Sequence, residues 1–132
     1  MAKAINTLLD DDGANLETLK VLAENSFDAV LMTDATAKGA ITYANSAFKK
    51  LTGYTQAEVV GKTPRILQGP ATDKAVIDRL RTALATGKRF EGKAINYKKD
   101  KTPFIMHWRV LPVRRGGKTV AWMAIQRETS GL

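Results

Sequence analysis

A chain of 132 residues, 44% hydrophobic and 26% charged, has the size and balance of one globular domain around one core. It has no cysteine, which removes disulfides, thiolate metal sites and thiol nucleophiles, and no apolar run approaches the roughly 18–20 residues of a membrane span. The net charge is +8, with acids dense early (Asp10, Asp11, Asp12, Glu17, Glu24) and bases dominant from Lys88 onward; this suits solvated faces or self-association, and no aromatics interleave with the bases as nucleic-acid binding would require.

Residues 1–6 lack the apolar segment of a signal peptide, so a cytoplasmic protein is expected, with neither membrane nor nucleic acid as partner. Residues 1–12 read as a loose lead-in. Asn15 or Asp12 can cap a helix through Leu16, Leu19, Val21 and Leu22, whose near-helical spacing calls for one buried face. Residues 27–33 and 40–44, separated by a polar turn over 34–39, read as two strands of a hairpin. Asn45 or Ser46 then caps a short helix through Phe48 and Leu51, which Gly53 closes in the left-handed conformation. Thr55 and Glu58 have the spacing of a capping box, opening a further helix that stops at Gly61.

Residues 61–70, Gly-Lys-Thr-Pro-Arg-Ile-Leu-Gln-Gly-Pro, contain two glycines and two prolines. Proline fixes φ and extends its predecessor, so an irregular wall is expected here, presenting Arg65 and Gln68 to a polar ligand. Thr72 or Asp73 caps the longest helix, to about Ala85, with Val76, Ile77, Leu80 and Leu84 as its stripe. Three strands follow, over 90–97, 103–113 and 118–127, with 114–117 as the second turn. Period-2 alternation puts Phe104, Met106, Trp108 and Val110 on one face of the second, and Val120, Trp122, Ala124 and Gln126 on one face of the third. Asn96 shares that inner side. Ile105, Leu111, Ala121, Met123 and Ile125 lie on the outer face, with His107 beside Ile105. Two strands, several helices and three strands describe an α+β fold, an antiparallel sheet with helices over one face and a pocket between them.

Tyr43-Ala-Asn-Ser-Ala-Phe48, Leu51-Thr-Gly-Tyr54, Glu58-Val-Val-Gly-Lys62 and the closing hairpin resemble the PAS domain pattern. The resemblance implies a five-stranded antiparallel sheet over residues 25–129, with an N-terminal flanking segment and helix at 1–24 and a stub at 130–132. Arg65, Leu67-Gln-Gly-Pro70, Thr72-Asp73 and Ile95-Asn-Tyr97 further resemble the LOV branch, the flavin-binding blue-light sensors. That resemblance implies FMN or FAD as cofactor. Arg65 and Arg81 would meet its phosphate, Gln68 the ribityl end, and Asn96 and Gln126 the ring. Pro64 stands where the branch carries its photoreactive cysteine, so no flavin–cysteinyl adduct can form. Thr63 and Met106 replace two asparagines of the branch, Trp122 a phenylalanine and Ala124 a glycine.

The resemblance therefore implies a sensory domain, not an enzyme, that reads light or redox state through a flavin held without a covalent bond. It also implies a homodimer through the outer sheet face and N-terminal helix, and a signalling domain downstream. Two other readings stand beside it. One is a cofactor-free interaction module whose pocket is filled by Met106, Trp108 and Trp122. The other is a sensor of a different small anion held by Arg65 and Arg81. His107, a lone histidine, offers a poor metal site.

Overall fold

The computed structural model describes residues 16–132. The expected lead-in over 1–12 and the candidate caps Asp12 and Asn15 lie outside these residues. Helix α1 (Leu16–Glu24) is followed by β1 (Ala29–Asp34), β2 (Ile41–Ala44), α2 (Ser46–Thr52), α3 (Gln56–Val59), a 3-10 turn (Pro64–Leu67), α4 (Lys74–Ala85), β3 (Phe90–Tyr97), β4 (Pro103–Arg115) and β5 (Lys118–Thr129). The strands form one antiparallel sheet in the order β2-β1-β5-β4-β3. The α+β architecture expected from the order of the elements is the one observed.

The local signals explain most boundaries. Asn45 caps α2 by accepting the Phe48 N–H, and Gly53 ends it at φ 84°. Thr55 and Glu58 make the reciprocal capping box of α3. Asp73, rather than Thr72, caps α4 through the Ala75 N–H. In β1, pairing begins at Ala29 rather than at 27, because Phe27 is fully exposed and the Asp28 N–H is taken by Ser26 Oγ at 3.1 Å.

Three expectations are corrected. The wall over 61–70 is not wholly irregular: Pro64 opens a 3-10 turn, at a position where its missing N–H costs nothing. The last hairpin turn is only Gly116–Gly117, at φ 57° and 77°, so Arg114 and Arg115 remain in β4. Both turn residues are left-handed, which matches the twist of the flanking strands. Val120 does not share the face of Trp122, Ala124 and Gln126. Val113 pairs with Ala121 but Arg114 pairs with Thr119, so Val120 is the extra residue of a bulge and packs with the outer cluster.

The sheet separates two apolar clusters. Ala29, Leu31, Phe90, Ala94, Met106, Trp108 and Trp122 line the inner face against Phe48, Val59 and Leu67 of the helical layer. Val30, Met32, Tyr43, Val113, Ala121 and Met123 line the outer face, where Leu19 and Ala23 of α1 cover them. Helix α4 rides at the rim: none of its residues is fully buried, Val76, Ile77 and Leu80 are half-buried, and Leu84 is exposed.

Candidate functional site

The inner face of β3, β4 and β5 carries the polar side chains that the pattern singled out. Asn96 lies opposite Phe104 across β3–β4, while Met106 lies opposite Glu128 and Trp108 opposite Gln126 across β4–β5. Asn96, Met106 and Gln126 therefore form a diagonal across three strands, at the spacing where long side chains interact. Both amides are buried. Among the described residues, Asn96 Nδ2 donates only to the Ala94 carbonyl of its own strand, at 3.3 Å. Gln126 is 3% exposed and its Oε1 has no hydrogen-bond partner among the described residues. Its neighbours in register are Ala29 on β1 and Trp108 on β4, neither of which offers a side-chain donor placed to reach it. A buried acceptor left unmet costs about 1–3 kcal/mol, so such a group calls for an explanation.

Met106 and Trp122 belong to the inner apolar cluster. Trp108 meets Phe90 edge-on, with ring centroids 5.1 Å apart and planes at 67°. The guanidinium of Arg79 lies 5.2 Å above the Phe90 ring, closing this stack from outside. Two grooves open on the nearby surface. One, of about 260 Å³, reaches Gln126 past Phe27, Ala29, Ala47 and Leu51. The other, of about 500 Å³, lies between Leu51, Gly53 and the turn at Lys98–Asp100. Neither is lined by Asn96, Met106 or Trp122.

The loop over 61–73 forms the wall beside β3. Thr63 and Gln68 are half-buried, and neither side chain makes a hydrogen bond to the described residues. Arg65, in the 3-10 turn, is exposed and makes no ion pair among the described residues. Arg81 is exposed on α4 and pairs with Asp78 at 3.1 Å. The loop is tied to β3 by contacts that the sequence pattern did not reveal. Thr72 Oγ1 donates to the Ile95 carbonyl at 2.7 Å and accepts the Gly69 N–H at 3.0 Å. The Ala71 N–H donates to Tyr97 Oη at 2.9 Å. A Cβ on Gly69 would run into the Tyr97 ring, so glycine is there for space. Thr72 and Tyr97 were legible as letters of a signature, but a bond spanning 26 residues has no sequence periodicity to announce it.

On the outer face, His107 Nε2 lies 2.7 Å from Glu91 Oε2. The His107 hydrogen bond, with the charge of Arg109, holds the Glu91 carboxyl below its usual pKa. Among the described residues no group of three or more His, Cys, Asp or Glu side chains gathers to hold a metal. Among them, too, no helix is long and apolar enough to cross a membrane.

Phototropin-1A of rice (Oryza sativa subsp. japonica) is 42% identical over 91 residues, covering 68% of this chain and 10% of that protein. The chain thus spans about a tenth of the length of the rice phototropins it matches. Among solved structures, a light-oxygen-voltage domain studied with a flavin analogue superposes with a TM-score of 0.77 at 29% identity, covering 87% of this chain and 84% of that one. The LOV domain of a blue-light activated histidine kinase from Erythrobacter litoralis EL346 superposes at 0.75 and 28% identity, covering 79% and 97%. The family model of the PAS fold matches residues 17–128, all five strands and the helical layer between them. With that match and the observed β2-β1-β5-β4-β3 sheet, the chain belongs to the PAS family, with light-oxygen-voltage domains among its relatives.

Proposed function

We propose that this chain is the sensory module of a signalling protein, holding FMN or FAD without a covalent bond on the inner face of its sheet. The single observation that carries this reading is Gln126 Oε1, a buried acceptor without a donor. A planar heterocycle with a ring N–H supplies that donor, and the Asn96–Met106–Gln126 diagonal presents an amide, a thioether and an amide along its edge. On the chemistry of the donor set, the residues present fit the polar edge of a flavin.

Asn96 and Gln126 then fix the ring by hydrogen bonds, each amide able to turn over to match a donor or an acceptor. Met106 and Trp122 form apolar walls that exclude water, and Thr63 borders the ring from the loop. Arg65, exposed and unpaired among the described residues, and Arg81, paired with the exposed Asp78, would turn toward a phosphate, with Gln68 at the ribityl end. A bound flavin supplies visible absorption and reversible reduction, and a chain without cysteine forms no cysteinyl bond to it. Gln126 pairs with Ala29 on β1, and its neighbour Ile125 faces the outer side. A change in its hydrogen bonding therefore reaches the strand pair that bears on the outer face, where α1 and a second subunit are the proposed recipients of the signal.

A specific observation favours a second reading, a cofactor-free interaction module. The inner face is packed by Phe90, Trp108, Met106 and Trp122, and tryptophan on a strand face is core more often than cofactor wall. The visible absorption spectrum of the purified protein, before and after blue illumination, separates the two. The flavin reading expects a structured visible flavin band that bleaches slowly to reduced flavin, with no reversible shift to an adduct. A flat visible spectrum, unchanged after incubation with FMN or FAD, overturns it in favour of the interaction module.

A further inference from the structure

We propose that Thr72 and Tyr97 are positioning residues: they strap the turn bearing Arg65 and Gln68 to β3 and thereby set how strongly the phosphate end of the ligand is held. This rests on the flavin reading above and deepens it.

Strand β3 is an edge of the sheet, so among the described residues its outward backbone groups have no neighbouring strand. Thr72 takes one of them, the Ile95 carbonyl, and uses the same hydroxyl to accept the Gly69 N–H. Tyr97, two residues further along β3, covers Gly69 with its ring and accepts the Ala71 N–H through its hydroxyl. Asn96 lies between these two anchor points, with its own side chain buried on the inner face. The strap thus fixes the loop directly beside the residue assigned to the ring. Upstream of Gly69 only Gln68 intervenes before the 3-10 turn, whose last bond runs from the Gln68 N–H to the Arg65 carbonyl at 3.0 Å. Downstream, Asp73 caps α4, the helix that bears Arg81. The Thr72 hydroxyl on the loop and the Tyr97 side chain on β3 therefore govern the placement of both arginines relative to Asn96. Neither Thr72 nor Tyr97 has to touch the ligand to do this. Gly69 has no left-handed φ, so its role is to admit the Tyr97 ring, and Gly69→Ala would push that ring away and lift the turn.

The test compares FMN with riboflavin, which has the same ring and no phosphate, in titrations of flavin-free protein. The unaltered chain is expected to prefer FMN. Thr72→Val, which has the same shape and no hydroxyl, is expected to lower that preference about tenfold while riboflavin affinity stays nearly constant; Thr72→Ser is expected to restore it. A merely structural role would weaken both ligands alike, and that result, or no change in either, overturns the proposal. Amide hydrogen exchange on the flavin-free protein tests the strap itself. Thr72→Val should speed exchange at Gly69, and Tyr97→Phe at Ala71, with β4 and β5 unaffected. Unchanged rates at both amides, or faster exchange across the whole sheet, overturn the strap. If the unaltered chain takes up neither FMN nor riboflavin, the flavin reading and the phosphate role fall together, and the exchange rates alone judge the strap.

Discussion

Gln126 is the residue whose chemistry is least explained by the protein around it. A buried amide oxygen without a donor lowers stability, and a protein retains such a group at little benefit unless something else meets it. This gives a prediction that separates a ligand contact from a packing role. In flavin-free protein, Gln126→Leu removes the unmet acceptor and adds apolar volume between Ala29 and Trp108. Stability in urea denaturation is expected to rise by about 1 kcal/mol, and flavin is expected to stay bound without a change at the outer face on reduction. A loss of more than about 1 kcal/mol would mean that the side chain is already satisfied and that its oxygen is not waiting for a ligand. The period-2 pattern was enough to place Gln126 and Asn96 on the inner face. It could not show that one amide bonds its own strand and that the oxygen of the other has no partner among the described residues, because hydrogen-bond partners depend on register and rotamer rather than on alternation.

At the scale of elements, Asn45 joins three pieces of the fold. Its Oδ1 accepts the Val30 N–H at 2.8 Å and the Phe48 N–H at 3.0 Å. Its Nδ2 donates to the Ala23 carbonyl at 2.7 Å and the Asp28 carbonyl at 3.0 Å. One side chain thereby caps α2, starts β1 and holds the end of α1. Glu24 adds to the joint by accepting bonds from Tyr43 Oη, Ser46 Oγ and the Ser46 N–H. Those bonds, Ser46 first, lower the Glu24 pKa, while burial pushes the Tyr43 hydroxyl up. Asn45→Ala removes four hydrogen bonds at a site 3% exposed; the Phe48 N–H keeps the residue-45 carbonyl and the Ala23 carbonyl keeps the Ser26 N–H, while the Val30 N–H and the Asp28 carbonyl lose the amide. The expected loss is about 3 kcal/mol, on the order of 10 °C in Tm, read by thermal denaturation. A loss below about 0.5 kcal/mol would show that water replaces the amide there and that the joint is not what docks α1. The sequence offered Asn45 only as a cap, which is the local half of its role. Caps, the Gly53 stop and the capping box were legible because each acts within four residues. The bulge at Val120 and the strap from Thr72 to β3 were not, because each depends on which distant strand lies alongside.

For the molecule as a whole, the question is where a signal would leave. Among the described residues the two faces of the sheet differ in cover: the inner one is closed by the helical layer, while the outer one is closed only in part by α1. Helix α1 buries Leu19 and Ala23 but leaves Val21 64% and Leu22 56% exposed, and Ile105, Leu111 and Ile125 on the outer face are only half-buried. Apolar side chains gathered on one side of a small domain mark a contact surface. Here that side also carries mixed charge, with Glu91 held by His107 and by Arg109 at 3.4 Å, which allows a self-complementary rim. The expectation is a twofold dimer formed by α1 and the outer face. Sedimentation velocity should show a dimer that Leu22→Lys weakens at least about tenfold, while the monomer fold loses no more than about 0.5 kcal/mol, as suits an exposed position. A protein that is monomeric at every concentration, or a Leu22→Lys variant that dimerises unchanged, would put the contact elsewhere. If the dimer and flavin are both present, reduction should alter the dimer constant in the unaltered chain but not in Gln126→Leu, since β5 carries Gln126 on one face and Met123 and Ile125 on the other. Two faces of one strand then join the ligand to the partner, and the coupling is measured by a single dissociation constant in two redox states.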